Sequence, residues 1–109
     1  MKSVILLAVA AGLAVPAIAA DPGQAAIEAL GRVNGIALAC RQPTIVSHVR
    51  NLIVARVPKS RNFGETFESS TNNAFLEQGK QTACPQPGAL NLALADAERQ
   101  LEAAFPAKP

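Results

Sequence analysis

His48 is the only histidine in this 109-residue chain, and Cys40 and Cys84 are its only cysteines. These three side chains are its whole supply of imidazole and thiol. A thiol beside an imidazole can be deprotonated to a nucleophile, but a disulfide between the two cysteines would consume it. A multi-histidine metal site and a second proton-transfer histidine are excluded by count. The cysteines are too far apart for a C-x-x-C redox motif, and no C-x-x-C-H haem attachment site is present. Glu65 and Glu68, three apart, would share a helical face as paired carboxylates do. With no histidine or further acid close by, they read as the solvated start of a helix, where negative charge suits the dipole. His48 reads as a solvent-facing helix residue. The expectation is no catalysis, no metal and no cofactor.

The fate of the thiols depends on compartment. Lys2 precedes an apolar run from Val4 to Val15, Pro16 breaks the run, and Ala17-Ile18-Ala19 has the small-x-small pattern of a cleavage site. The run is about twelve residues, short of the ~18–20 that span a bilayer. It therefore reads as a signal peptide over residues 1–19 rather than a transmembrane anchor. Cleavage leaves a single helical domain, residues 20–109, in the periplasm or secreted. No cysteine follows the cleavage site, so lipid attachment is not expected. In that oxidising setting Cys40 and Cys84 should pair.

About ninety residues support one small domain with a modest core, for which a covalent staple is valuable. The chain has no Trp and no Tyr, and its four Phe are Phe63, Phe67, Phe75 and Phe105. That argues against an aromatic platform for single strands, and nucleic acid is not an expected partner outside the cytoplasm. Charge is split along the chain. Between Gly31 and Gly64 lie Arg32, Arg41, Arg50, Arg56, Lys59 and Arg61 with no acid, whereas Glu65 onward is mostly acidic. Two uses fit: basic and acidic segments neutralising one another, or a basic face for an acidic partner, with Arg50, Arg56, Lys59 and Arg61 as its binding residues.

Four helices should position these groups. Asp21 can cap the first, with Pro22 at its first position. Ala26, Leu30, Val33, Ala37 and Cys40 then follow one helical face, and Pro43 should end it. Pro43 can open the second helix, whose apolar stripe is Ile45, Val49, Leu52 and Ile53, and Pro58 ends it. The third should start near Ser60 or Asn62, where Asn62 and Glu65 have capping-box spacing. Phe63, Phe67, Thr71 and Phe75 recur every four residues, and Gly79 suits a left-handed C-terminal position. The fourth runs from about Pro87 to Phe105, with Leu90, Leu94, Ala97, Leu101 and Ala104 along one face.

Short connections favour antiparallel neighbours, so the expected fold is all-α: a small four-helix up-down bundle stapled by one disulfide. In that topology the first helix ends where the fourth begins, which brings Cys40 to Cys84. Gly31 and Gly35 form a small-residue pattern suited to close helix approach, or to a dimer seam; a monomer or weak homodimer is expected. Asn34 lies beside the apolar stripe and, if buried, needs a partner. Thr71 and Asn72 are the candidates, and Asn34, Thr71 and Asn72 outline a candidate polar pocket. The polar run Ser69 to Asn73 inside a helix marks the same region.

In size, helicity and a single long-range disulfide the layout is similar to that of small periplasmic acid-stress chaperones. The resemblance rests on no shared motif and carries over no functional residue. Two functions follow as expectations: a small exported non-enzymatic protein that binds another envelope protein or a small ligand, or an acid- or stress-responsive periplasmic chaperone that exposes its core on partial unfolding.

Overall fold

A computed structural model describes residues 21–107. The expected signal peptide lies outside the described residues. Those residues form four α-helices and no strand: α1 (Pro22–Ala39), α2 (Pro43–Arg56), α3 (Arg61–Gly79) and α4 (Pro87–Ala104). Among them no helix is long and apolar enough to cross a membrane.

Helix starts follow local chemistry. The Asp21 carboxylate accepts a hydrogen bond from the Gly23 N–H at 2.9 Å, with Pro22 at the first helical position, where proline loses no bond a helix would make. Pro43 and Pro87 likewise stand at the first position of α2 and α4, there without a side-chain cap. For α3 the cap is Ser60, whose Oγ accepts from the Phe63 N–H at 3.1 Å. Ser60 thus takes the place that the Asn62–Glu65 spacing suggested, and Asn62 lies within the first turn.

Two helix ends differ from expectation. α1 stops before Pro43 requires it to. Arg41 takes a left-handed backbone (φ 58°), the Gln42 N–H bonds the Ala37 carbonyl at 2.8 Å, and the Arg41 N–H bonds the Leu38 carbonyl at 3.4 Å. This paired closure usually uses glycine at the left-handed position. At Gly79, where a left-handed residue was expected, no positive φ occurs. There α3 closes through Lys80 and Gln81 N–H groups bonded back to Glu77 and Gln78 carbonyls.

The core belongs to α1, α2 and α4. Ala26, Ile27, Leu30, Val33 and Ala37 of α1 pack with Ile45 and Val49 of α2 and with Leu90, Leu94, Ala97 and Leu101 of α4. The stripes read from sequence on α1 and α4 are the buried ones. α3 is different: none of its 19 residues is buried. Phe63 and Phe67 reach the edge of the core, while Phe75 is 44% exposed.

Pairing explains this. α1 packs against each of the other three helices, and α2 packs against α4, but α3 packs against α1 alone. Glycine makes that seam. A Cβ on Gly31 would overlap Ser70, and one on Gly35 would overlap the Thr71 carbonyl oxygen. Only glycine lets the two backbones approach this closely. The contacts advance together along both helices: Gln24 meets Thr66, Gly31 meets Ser70, and Gly35 meets Ala74. α1 and α3 therefore run in the same direction.

Each end of the assembly is fastened. At one end Cys40 and Cys84 form a disulfide with Cα atoms 5.9 Å apart, closing a loop of 44 positions that carries α2 and α3. Chain-entropy arguments put its value at roughly 4 kcal/mol. At the other end Phe105 is the clasp. Its ring stacks edge-on against Phe63 with centroids 5.4 Å apart and lies over Gly23, while its carbonyl accepts from the Arg56 guanidinium at 3.2 Å.

Candidate functional site

His48 and the cysteines do not meet. Both cysteines are in the disulfide, and His48 sits midway along α2 with Nε2 3.1 Å from Glu98 Oε1 on α4. The pair joins two packed helices at the surface and touches no nucleophile. Among the described residues no group of three His, Cys, Asp or Glu side chains gathers as a metal site would require. Glu65 and Glu68 are exposed near the start of α3.

The basic set splits in two. Arg56 is turned inward: its guanidinium bonds the Phe105 carbonyl and lies 3.8 Å from Glu102. Its charge therefore helps hold α2 to α4, as the neutralising alternative expected. Arg50, Lys59 and Arg61 are exposed and form no ion pair among the described residues. Lys59 and Arg61 border a cleft between the end of α2 and the start of α3. It exists because these helices, consecutive in sequence, do not pack on each other. Ile53, Val57, Phe63 and Phe67 supply its apolar lining, exposed Val54 its outer edge, and Glu68 one acidic point.

The polar candidates also separate. Asn34 is buried, and its amide donates to Thr71 Oγ1 at 3.3 Å across the glycine seam. This bond spends both groups on helix docking. Asn72 takes no part in this bond; with Thr71 it lines a shallow hollow that also holds Leu38, Phe67 and Phe75.

The larger polar feature was only partly visible in the sequence. A groove of about 950 Å³ runs along the other side of the α1–α3 seam. Glu28, Arg32 and Ile36 form the α1 wall, spaced four apart so that they stack along one face. Asn62, Thr66, Ser69, Ser70, Asn73 and Glu77 form the α3 wall. The Ser69–Asn73 run signalled polarity here. Thr66 and Asn62, one and two turns earlier, could have been found by extending the same helical face.

No protein-family model matches the sequence, and no curated protein and no solved structure matches the chain.

Proposed function

We propose that this protein is a small exported binding module, without enzymatic activity, that docks an acidic amphipathic segment of another envelope protein. The observation that carries this reading is the α2–α3 cleft, whose apolar lining of Ile53, Val57, Phe63 and Phe67 is bordered by the exposed cations Lys59 and Arg61. Apolar side chains would supply most of the free energy. The cations, with Arg50 nearby on α2, would supply register and faster encounter. An up-down order of the four helices, a periplasmic or secreted location and a monomeric or weakly dimeric state belong to the same reading. The test begins with a partner recovered with the oxidised protein from its own cell envelope. Replacing Arg50, Lys59 and Arg61 together with Gln should weaken that complex and flatten its salt dependence, with thermal stability nearly unchanged. Unchanged binding, or a sharp loss of stability, overturns it.

One observation favours a second reading, the acid-responsive chaperone. Among the described helices α3 packs on α1 alone and none of its residues is fully buried, so its release as one unit would uncover the α1 face that it covers. At low pH the carboxylates lose their charge and self-repulsion favours opening. Suppressed aggregation of acid-denatured client proteins at about pH 2–3, coincident with loss of native packing, would support it. A protein that stays folded there, or opens and protects nothing, removes it.

A further inference from the structure

The α1–α3 groove is a second feature, on a different face from the α2–α3 cleft and independent of the reading above. We propose that it binds a short, extended, basic polypeptide segment, held mainly through its backbone.

Its shape favours a linear ligand. From Asn62 to Glu77 the α3 wall extends about 22 Å at the helical rise of ~1.5 Å per residue, enough for roughly six or seven extended residues at ~3.3 Å each. The floor is narrow because Gly31 and Gly35 draw the small residues Ser70 and Ala74 against α1. One end is walled by the connector carrying Ala83, Cys84 and Pro85. The wall is fixed twice: by the disulfide to Cys40, and by Gln78 Nε2 donating to the Ala83 carbonyl at 3.0 Å. The result is an end-stopped channel.

Its chemistry selects a backbone. Hydroxyls and carboxamides both donate and accept, as needed to meet alternating N–H and C=O groups. Asn62, Ser69, Ser70 and Asn73 form no side-chain hydrogen bond to protein among the described residues. Thr66 bonds Gln24 beside the seam. Among the described residues no aromatic ring lines the groove, so stacking on a sugar or base is not offered. Ile36, Ala74, Ala83 and Pro85 are too few and too scattered to bury an acyl chain.

Its charge selects basic side chains. Among the described residues Glu28, Glu65 and Glu77 line the groove against one cation, Arg32. Glu77 also lies 3.6 Å from Lys80, which is not among the lining residues, while Glu28 and Glu65 form no ion pair among the described residues. Lysine or arginine on the bound segment would answer these carboxylates, with an attraction that salt screens because the groups are exposed.

The test is titration of the ¹⁵N-labelled oxidised protein with the heptapeptide Ser-Lys-Ser-Lys-Ser-Lys-Ser, followed by amide chemical shifts. Shifts should cluster at Asn62, Thr66, Ser70 and Asn73. The S69A/N73A variant should bind at least about fivefold more weakly, as expected for lost hydrogen bonds, with unchanged thermal unfolding. A peptide with Glu in place of Lys, and one N-methylated at alternate amides, should each lose most of the binding. The R50Q/K59Q/R61Q variant should bind like the unsubstituted protein, which separates this groove from the α2–α3 cleft. No shifts at millimolar peptide, shifts confined to α2, equal binding by the N-methylated peptide, or equal binding by the Glu peptide each overturn the proposal.

Discussion

α1 and α3 are nearly the same length, 18 and 19 residues, and lie against each other, yet ten residues of α1 are buried and none of α3. Among the described residues α1 is the hub on which every other helix packs, and α3 has one helix neighbour. A helix with one neighbour packs along one face, here through Phe63, Phe67 and the glycine seam, and leaves its outer surface available for binding. Both candidate binding surfaces are bordered by α3: the basic-edged cleft toward α2 and the polar groove beside the seam with α1. Burial is concentrated in the helix with three neighbours, and exposed surface in the helix with one.

The largest expected effect tests whether α3 depends on the staple. Replacing Cys40 and Cys84 together with Ser should cost roughly 4 kcal/mol of unfolding free energy, measured by urea denaturation. Hydrogen exchange should show α3 amides losing protection before those of α1 and α4. Equal loss across all helices would break the distinction between hub and appendage. The next largest contrast is a matched pair of truncations. Leu30→Ala in α1, where the side chain is fully buried, should cost about 2–5 kcal/mol. Leu76→Ala in α3, where it is 55% exposed, should stay within about 0.5 kcal/mol. Similar costs at both positions would show that α3 has a covered face in solution.

A third substitution attacks the seam alone. Gly35→Val places side-chain atoms where the Thr71 carbonyl stands and should cost about 1–3 kcal/mol. Most of the loss should appear as weakened α3 protection, with the α1–α2–α4 core retained. The smallest effects sharpen the comparison at the helix ends, and both should stabilise. Arg41→Gly relieves a left-handed arginine at the end of α1 and should add about 1 kcal/mol. Gly79→Ala replaces a glycine with no left-handed requirement and open space around it, and should add about 0.4–1 kcal/mol. The reverse sign at Gly79 would mean that α3 ends differently in solution.

Much of the local structure was legible. Prolines at first helical positions, the Asp21 cap and the leucine and alanine stripes of α1 and α4 are local or periodic features, and each appears where the residues place it. So does the pairing of Cys40 with Cys84 and the approach of a helix to Gly31 and Gly35. The candidate sites were less legible. The acid-free stretch marked the basic residues but could not distinguish Arg56, consumed by Glu102 and Phe105, from Arg50, Lys59 and Arg61 at the surface. Asn34 was identified as needing a partner, and Thr71 provides it. Asn72, one residue further on, shares a hollow with Thr71 but makes no bond to Asn34, because one helical step rotates a side chain by about 100°.

The amino-acid sequence by itself determined four helices, their starts, the buried stripes of α1 and α4, and the pair of cysteines that could be joined. These follow from backbone sterics, capping and periodicity, which act over a few residues. Only the tertiary structure decided that, among the described helices, α3 packs on α1 alone and that its phenylalanine stripe is only partly covered, with Phe63 and Phe67 half-buried and Phe75 exposed. The reason is that burial depends on what a neighbouring helix presents. α1 meets α3 with two glycines and an asparagine, which allow close backbone contact but offer little apolar surface beside Phe75.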